Sequence, residues 1–144
     1  MKTILATMII SVLLLSCATE PEPLIMGKDA CAFCKMTLMD EKFGGEIVTK
    51  KGRVYKFDDI NCLVSFYNGN KQVSGNTQLV LVVNYADPAR LLNAHDALYA
   101  RSEHIRSPMA SLLAAFGTRQ QIETHNKDWN GRVMGWQEMT AQFE

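Results

Sequence analysis

Charge of one sign is missing from this chain: 15 Lys and Arg balance 15 Asp and Glu, giving a formal charge of +0. With no basic cluster either, an electrostatic pull toward nucleic acid is excluded as a basis for function. The apolar run from Ile4 to Leu15 is too short to be a permanent membrane span, which takes about 20 residues. Long polar tracts are lacking beyond an early Pro/Glu stretch, and at 47% hydrophobic residues the remainder is expected to be folded and soluble. Histidine occurs only three times. His104, beside Glu103 and Arg106, reads as exposed, His95 reads as a strand edge, and His125 has no context that marks it as a ligand.

What is present begins with a targeting signal. Lys2 precedes the run from Ile4 to Leu15, whose length suits a signal-peptide h-region. The run closes on Leu14-Leu15-Ser16-Cys17, which resembles the lipobox of bacterial lipoproteins, where small residues let the peptidase cut just before a lipid-modified Cys. Residues 1–16 are then a cleaved signal peptide. Cys17 carries the lipid, and residues 17–27, with Glu20-Pro21-Glu22-Pro23, form a tether. By resemblance to lipoprotein sorting rules, Ala18 rather than Asp points to the outer membrane of a double-membraned bacterium. With Cys17 occupied, three of the four cysteines remain in an oxidising compartment: Cys31, Cys34 and Cys62. Three is odd, so at least one thiol is free, metal-bound or engaged with a partner.

Beyond the tether the pattern predicts an α+β protein of two small ββαβ-type units in one compact body, over residues 28–87 and 88–144. In the first, Glu46 to Thr49 and Arg53 to Phe57 alternate in polarity around Lys51-Gly52, a hairpin signal. Asp58-Asp59 can cap a helix starting near Ile60, with Leu63, Val64, Phe66 and Tyr67 as its apolar face, and Asn68-Gly69-Asn70 ends it. Leu79 to Val83 reads as a central strand. In the second unit, Asp96 to Ala100 reads as a strand and Glu103 to Arg106 as a short extended stretch. A helix is expected from Pro108, because Met109, Leu112, Leu113 and Phe116 recur at helical spacing, and Gln120 to His125 continues helically. A short strand near Arg132 to Met134 and an amphipathic turn from Trp136 to Phe143 complete the pattern.

Chemistry concentrates in Cys31-Ala32-Phe33-Cys34-Lys35-Met36, closely followed by Met39. Thiolate and thioether sulfur favour Cu(I), whereas zinc and iron sites usually draw on more thiolates or imidazoles. In an extended backbone, Cys34 and Met36 point the same way and can share one ion. Three other readings stay open. Cys31 and Cys34 could form a structural or redox disulfide, as in a thiol-disulfide oxidoreductase, although the pair neither follows a predicted strand nor opens a long helix. Met36 and Met39 could fill a core. A structural zinc knuckle could use Cys31, Cys34 and Cys62, but it lacks a fourth ligand at ordinary spacing, and Cys62, among Leu63, Val64 and Phe66, reads first as a buried thiol.

Four segments in order, Cys34-Lys35-Met36-Thr37-Leu38, Gly52 through Ile60, Ala94-His95-Asp96-Ala97-Leu98-Tyr99 and Ser107-Pro108-Met109, resemble NosL, the accessory lipoprotein family of nitrous oxide reductase. The resemblance spans nearly all of the mature chain. It implies a periplasm-facing Cu(I) chaperone, not an enzyme, that serves assembly of the copper-sulfide centre of nitrous oxide reductase beside an ABC-type maturation complex. It also implies a fold of paired ββαβ units. It carries Cys34 and Met36 over as copper ligands and makes Met109 a candidate third, with core packing as its alternative; His95, His104 and His125 are second-rank candidates. Cys31 either adds a thiolate or closes a disulfide with Cys34. Asp58 and Asp59 read as a helix cap.

Overall fold

A computed structural model describes residues 19–143, so the expected signal peptide and Cys17 lie outside the described residues. Two antiparallel sheets form the frame. The first contains β1 (Gly45–Thr49), β2 (Val54–Phe57), β3 (Thr77–Val83) and β4 (Leu91–Asn93) in the order β2-β1-β3-β4. Between β2 and β3 run α1 (Ile60–Gly69) and the short α2 (Lys71–Ser74). The second sheet contains β5 (Leu98–Arg101), β6 (Leu113–Phe116) and β7 (Arg132–Met134) in the order β6-β5-β7, with α3 (Arg119–Trp129) between β6 and β7. The short α4 (Trp136–Thr140) and a 3₁₀ turn at Ala141–Phe143 follow. Among the described residues no helix is long and apolar enough to cross a membrane.

The α+β class, the first hairpin, α1 and the interior position of β3 agree with the sequence. Gly44 and Gly45 lead into β1 for a steric reason. A Cβ on Gly45 would lie 2.1 Å from the Leu81 carbonyl oxygen and one on Gly44 2.1 Å from that of Phe57, while Gly44 also has a φ of +85°. Strand β4, within residues 88–144, pairs with β3 and so extends the first sheet.

The helix expected from Pro108 does not form. Residues 107–112 make a loop in which Ala110 and Leu112 have φ values of +55° and +60°, and Leu113–Phe116 is a strand paired with β5. The apolar spacing fits both periods. In the strand, Leu113 and Ala115 join the core between the sheets, while Ala114 and Phe116 face Ile105 and Ile122. Glu103 to Arg106 is likewise a turn, closed by the Ile105 N–H donating to the Ser102 carbonyl at 3.0 Å. The main core joins Ile47, Phe57, Leu63 and Val80 of the first sheet and α1 to Tyr99, Leu113 and Met134 of the second.

Candidate metal centre

Residues 30–39 fold as a sulfur-bearing knuckle on the end of β2. An isolated bridge pairs Ala30 with Thr37, the Cys31 N–H donates to the Met36 carbonyl at 2.8 Å, and the Lys35 N–H donates back to the Cys31 carbonyl at 3.1 Å. Lys35 makes this reversal with a φ of +67°. Buried Leu38 anchors one side, and the Ala32 N–H donates to the Lys56 carbonyl at 2.7 Å, docking the turn on β2. Asp58 Oδ1 accepts from the Met39 N–H at 3.2 Å, which holds the exit of the turn.

Helix α1 begins immediately after β2, so its first turn lies beside the docked knuckle. Cys62 is its third residue. The sulfurs of Cys31, Cys34 and Cys62 all lie within 4.8 Å of one another, and all three are free thiols. Three sulfurs around one ion at bonds of about 2.3 Å would be about 4 Å apart, so modest closure would give a trigonal site. Cys31 and Cys62 are 1% and 2% exposed, while Cys34 is half-buried. One edge of the cluster therefore opens to solvent, beside the exposed Phe33, Met36 and Met39.

The three thiols shift one another's acidity in opposite directions. The Cys31 thiol is pushed down to about 4, chiefly because the Cys62 thiol donates a hydrogen bond to it, with backbone N–H groups of Asp58, Cys34 and Phe33 adding to this against the cost of burial. Cys62 is raised, above all by that donation to Cys31, and then by burial. Cys34 is raised mainly by burial, although the Met36 N–H donates to its sulfur. Cys31 is thus the most acidic of the three thiols, and a cation held by all three would take the place of protons on the other two.

The candidate residues from the sequence fall into two groups. Cys31 and Cys34 lie in the cluster. Met36 places its N–H at Cys34 while its side chain is 56% exposed, and Met109, on the 107–112 loop, is half-buried against the core group that includes Cys31 and Cys62. The histidines lie elsewhere. His95 is exposed with its ring 4.8 Å from that of Trp136, His104 is exposed, and His125 stacks among Tyr85, Phe116 and Trp129. Cys62, read first as a core thiol, is buried and also a member of the cluster. Its signal was the order of strand end, acidic cap and Cys, which puts a thiol in the first turn beside whatever rests on that strand.

A sequence profile described as NosL matches residues 24–143. The chain belongs to the NosL family. Among solved structures, a chain described as the copper chaperone NosL from Shewanella denitrificans superposes with a TM-score of 0.70 at 18% identity, over 83% of this chain and 95% of that one. That likeness establishes the shared fold. No curated protein matches the chain. In this NosL protein the three clustered cysteines form a group of soft donors that could hold a metal ion.

Proposed function

We propose that this NosL protein is a Cu(I) chaperone whose cargo is held at the Cys31, Cys34 and Cys62 cluster, with Met36 and Met109 as thioether partners. Delivery is to the copper-sulfide centre of nitrous oxide reductase, beside an ABC-type maturation complex. The observation that carries the reading is the convergence of three free sulfurs within 4.8 Å, two buried and one at the surface. Family membership and the copper chaperone of the same fold support it.

In the proposed cycle the reduced protein takes up Cu(I), protons leave Cys34 and Cys62, and a partner's sulfur displaces Cys34 at the open edge before the buried ligands let go. No electron is transferred, and the protein is not an enzyme. The chain is exported and anchored through lipid on Cys17, with the folded part facing the periplasm from the outer membrane. Burial of Cys31 argues against an oxidoreductase, because the most acidic thiol is shielded from a protein substrate.

Reduced protein titrated with Cu(I) or Zn(II) against a competing chelator, with mass spectrometric readout, tests this function. One Cu(I) per chain is expected, lost in Cys34→Ala and weakened in Met36→Ala. Retention of zinc but not copper would establish a structural knuckle instead, and catalytic reduction of insulin would establish an oxidoreductase. Deleting the protein should leave nitrous oxide reductase without its copper-sulfide centre, and unchanged metal content would remove that route of delivery.

A further inference from the structure

Asp59 has an unusual set of partners for a helix cap. It is fully buried, and Oδ1 accepts from the Ile60 N–H at 2.6 Å and from Ser111 Oγ at 2.6 Å. Oδ2 accepts from the Met109 N–H at 2.9 Å and the Ser111 N–H at 3.4 Å. Two residues on, the Asn61 side-chain amide donates to the Met109 carbonyl at 3.1 Å. Both polar backbone groups of Met109 are therefore gripped by residues 59 and 61, and the next residue of that turn is Cys62.

The grip holds a loop that is costly in itself. Ala110 and Leu112 are non-glycine residues in the left-handed region, at about 1 kcal/mol or more each, and such strain persists only where surrounding structure over-determines it. The Asn61 side-chain oxygen is a further cost, being buried without a hydrogen-bond partner among the described residues. A cap alone requires none of this. Thr118 caps the longer α3 with one bond, from the Gln121 N–H at 3.2 Å, and binds no distant loop. What the extra contacts achieve is placement, since they lay the half-buried Met109 side chain against the core group that contains Cys31 and Cys62.

We propose that Asp59 and Asn61 are positioning residues that hold Met109 as a thioether donor to cargo Cu(I) at the cysteine cluster. The inference rests on the copper reading above and adds to it a fixed place for one thioether ligand. A neutral sulfur delivered by a rigid loop keeps the ion three-coordinate while Cys34 exchanges with a partner. The partner's sulfur bonds to copper as the Cu–S bond to Cys34 breaks, the released Cys34 sulfur takes up a proton, the bonds to Cys31, Cys62 and Met109 remain, and no oxidation state changes.

The test uses selenomethionine-labelled, reduced protein loaded with Cu(I), with copper-edge X-ray absorption for the copper–selenium shell and chelator competition for affinity. Met109→Leu, which keeps the packing volume, and Asp59→Asn should each weaken binding about 10-fold and lower the copper–selenium amplitude equally. The double variant should bind no more weakly than Met109→Leu alone, because both changes remove one interaction. Should Asp59→Asn fail to fold, Asn61→Ala and Ser111→Ala loosen the same loop. Full affinity and an unchanged shell in Met109→Leu, with binding abolished in Cys34→Ala, would overturn this inference and leave the copper reading standing. Multiplicative losses in the double variant would also overturn it. Wild type that retains no Cu(I) would remove both.

Discussion

The two sheets share one strand order, β2-β1-β3 and β6-β5-β7, with a helix before the third strand in each, yet among the described residues the thiol cluster gathers at the first. Its strand-to-helix junction is Asp58-Asp59 followed by α1, whose Ile60, Cys62, Leu63 and Val64 are buried. The matching junction in the second is Gly117-Thr118 followed by α3, of which only Ile122 is buried. The same topology thus supports a helix sunk in the core and a helix lying mostly in solvent. A deeply seated first turn shields thiols from water and oxidant, and the second unit contributes a loop to it rather than a site of its own.

Large core deletions should break this asymmetry most strongly. Phe57→Ala and Phe116→Ala each remove a fully buried ring and should each cost about 3–5 kcal/mol in denaturant unfolding. Only Phe57→Ala, beneath the knuckle and α1, should also weaken copper binding in the fraction that remains folded. Cys62→Ser should lower Cu(I) affinity by about 100-fold or more in chelator competition while shifting the apo melting temperature little, since a soft ligand is replaced by a hard one of similar size. Equal affinity would remove the first helix from the site.

Glu46 sharpens the contrast at smaller amplitude. It is fully buried in β1, whereas β5, β6 and β7 contain no acid. Burial pushes its carboxyl up to about 7, opposed by the Glu22 N–H and the Lys56 charge, with the Glu22 charge adding to the rise. A raised acid favours folding while protonated, so its contribution is full below about 4.5 and is lost as pH rises through about 7. Glu46→Gln should therefore be more stable than wild type by about 1–2 kcal/mol at pH 8, with the difference vanishing near pH 4.5 in paired urea titrations. The smallest change expected is Thr118→Ala, at about 1 kcal/mol of stability with copper affinity untouched.

Local signals made much of the fold legible: Lys51-Gly52 for the first hairpin, Asp59 for the start of α1, and Leu79 to Val83 for an interior strand. The segment from Pro108 to Phe116 has a helical pattern in sequence and a strand in the fold because its apolar residues satisfy two periods at once. In the fold Asp59, 50 residues earlier, accepts from the Met109 N–H, and Ala110 and Leu112 take φ values of +55° and +60° that a right-handed helix does not contain. Cys31 and Cys34 stood out by spacing. Cys62 did not, because its proximity depends on the knuckle docking on β2, a contact made through the Ala32 N–H and the Lys56 carbonyl that leaves no local trace in sequence.

Lys56 also fixes the leading segment, since its Nζ bonds the Pro23 carbonyl at 2.9 Å, pairs with Glu22 at 3.2 Å and with Asp29 at 2.8 Å. With Cys17 lipidated as proposed, the five-residue step from there to Glu22 spans at most roughly 17 Å. Under that proposal, a carrier on so short a lead would work at the bilayer surface instead of in the open compartment. Its handover should therefore occur within a molecular diameter of the lipid headgroups, to partners that come to that surface.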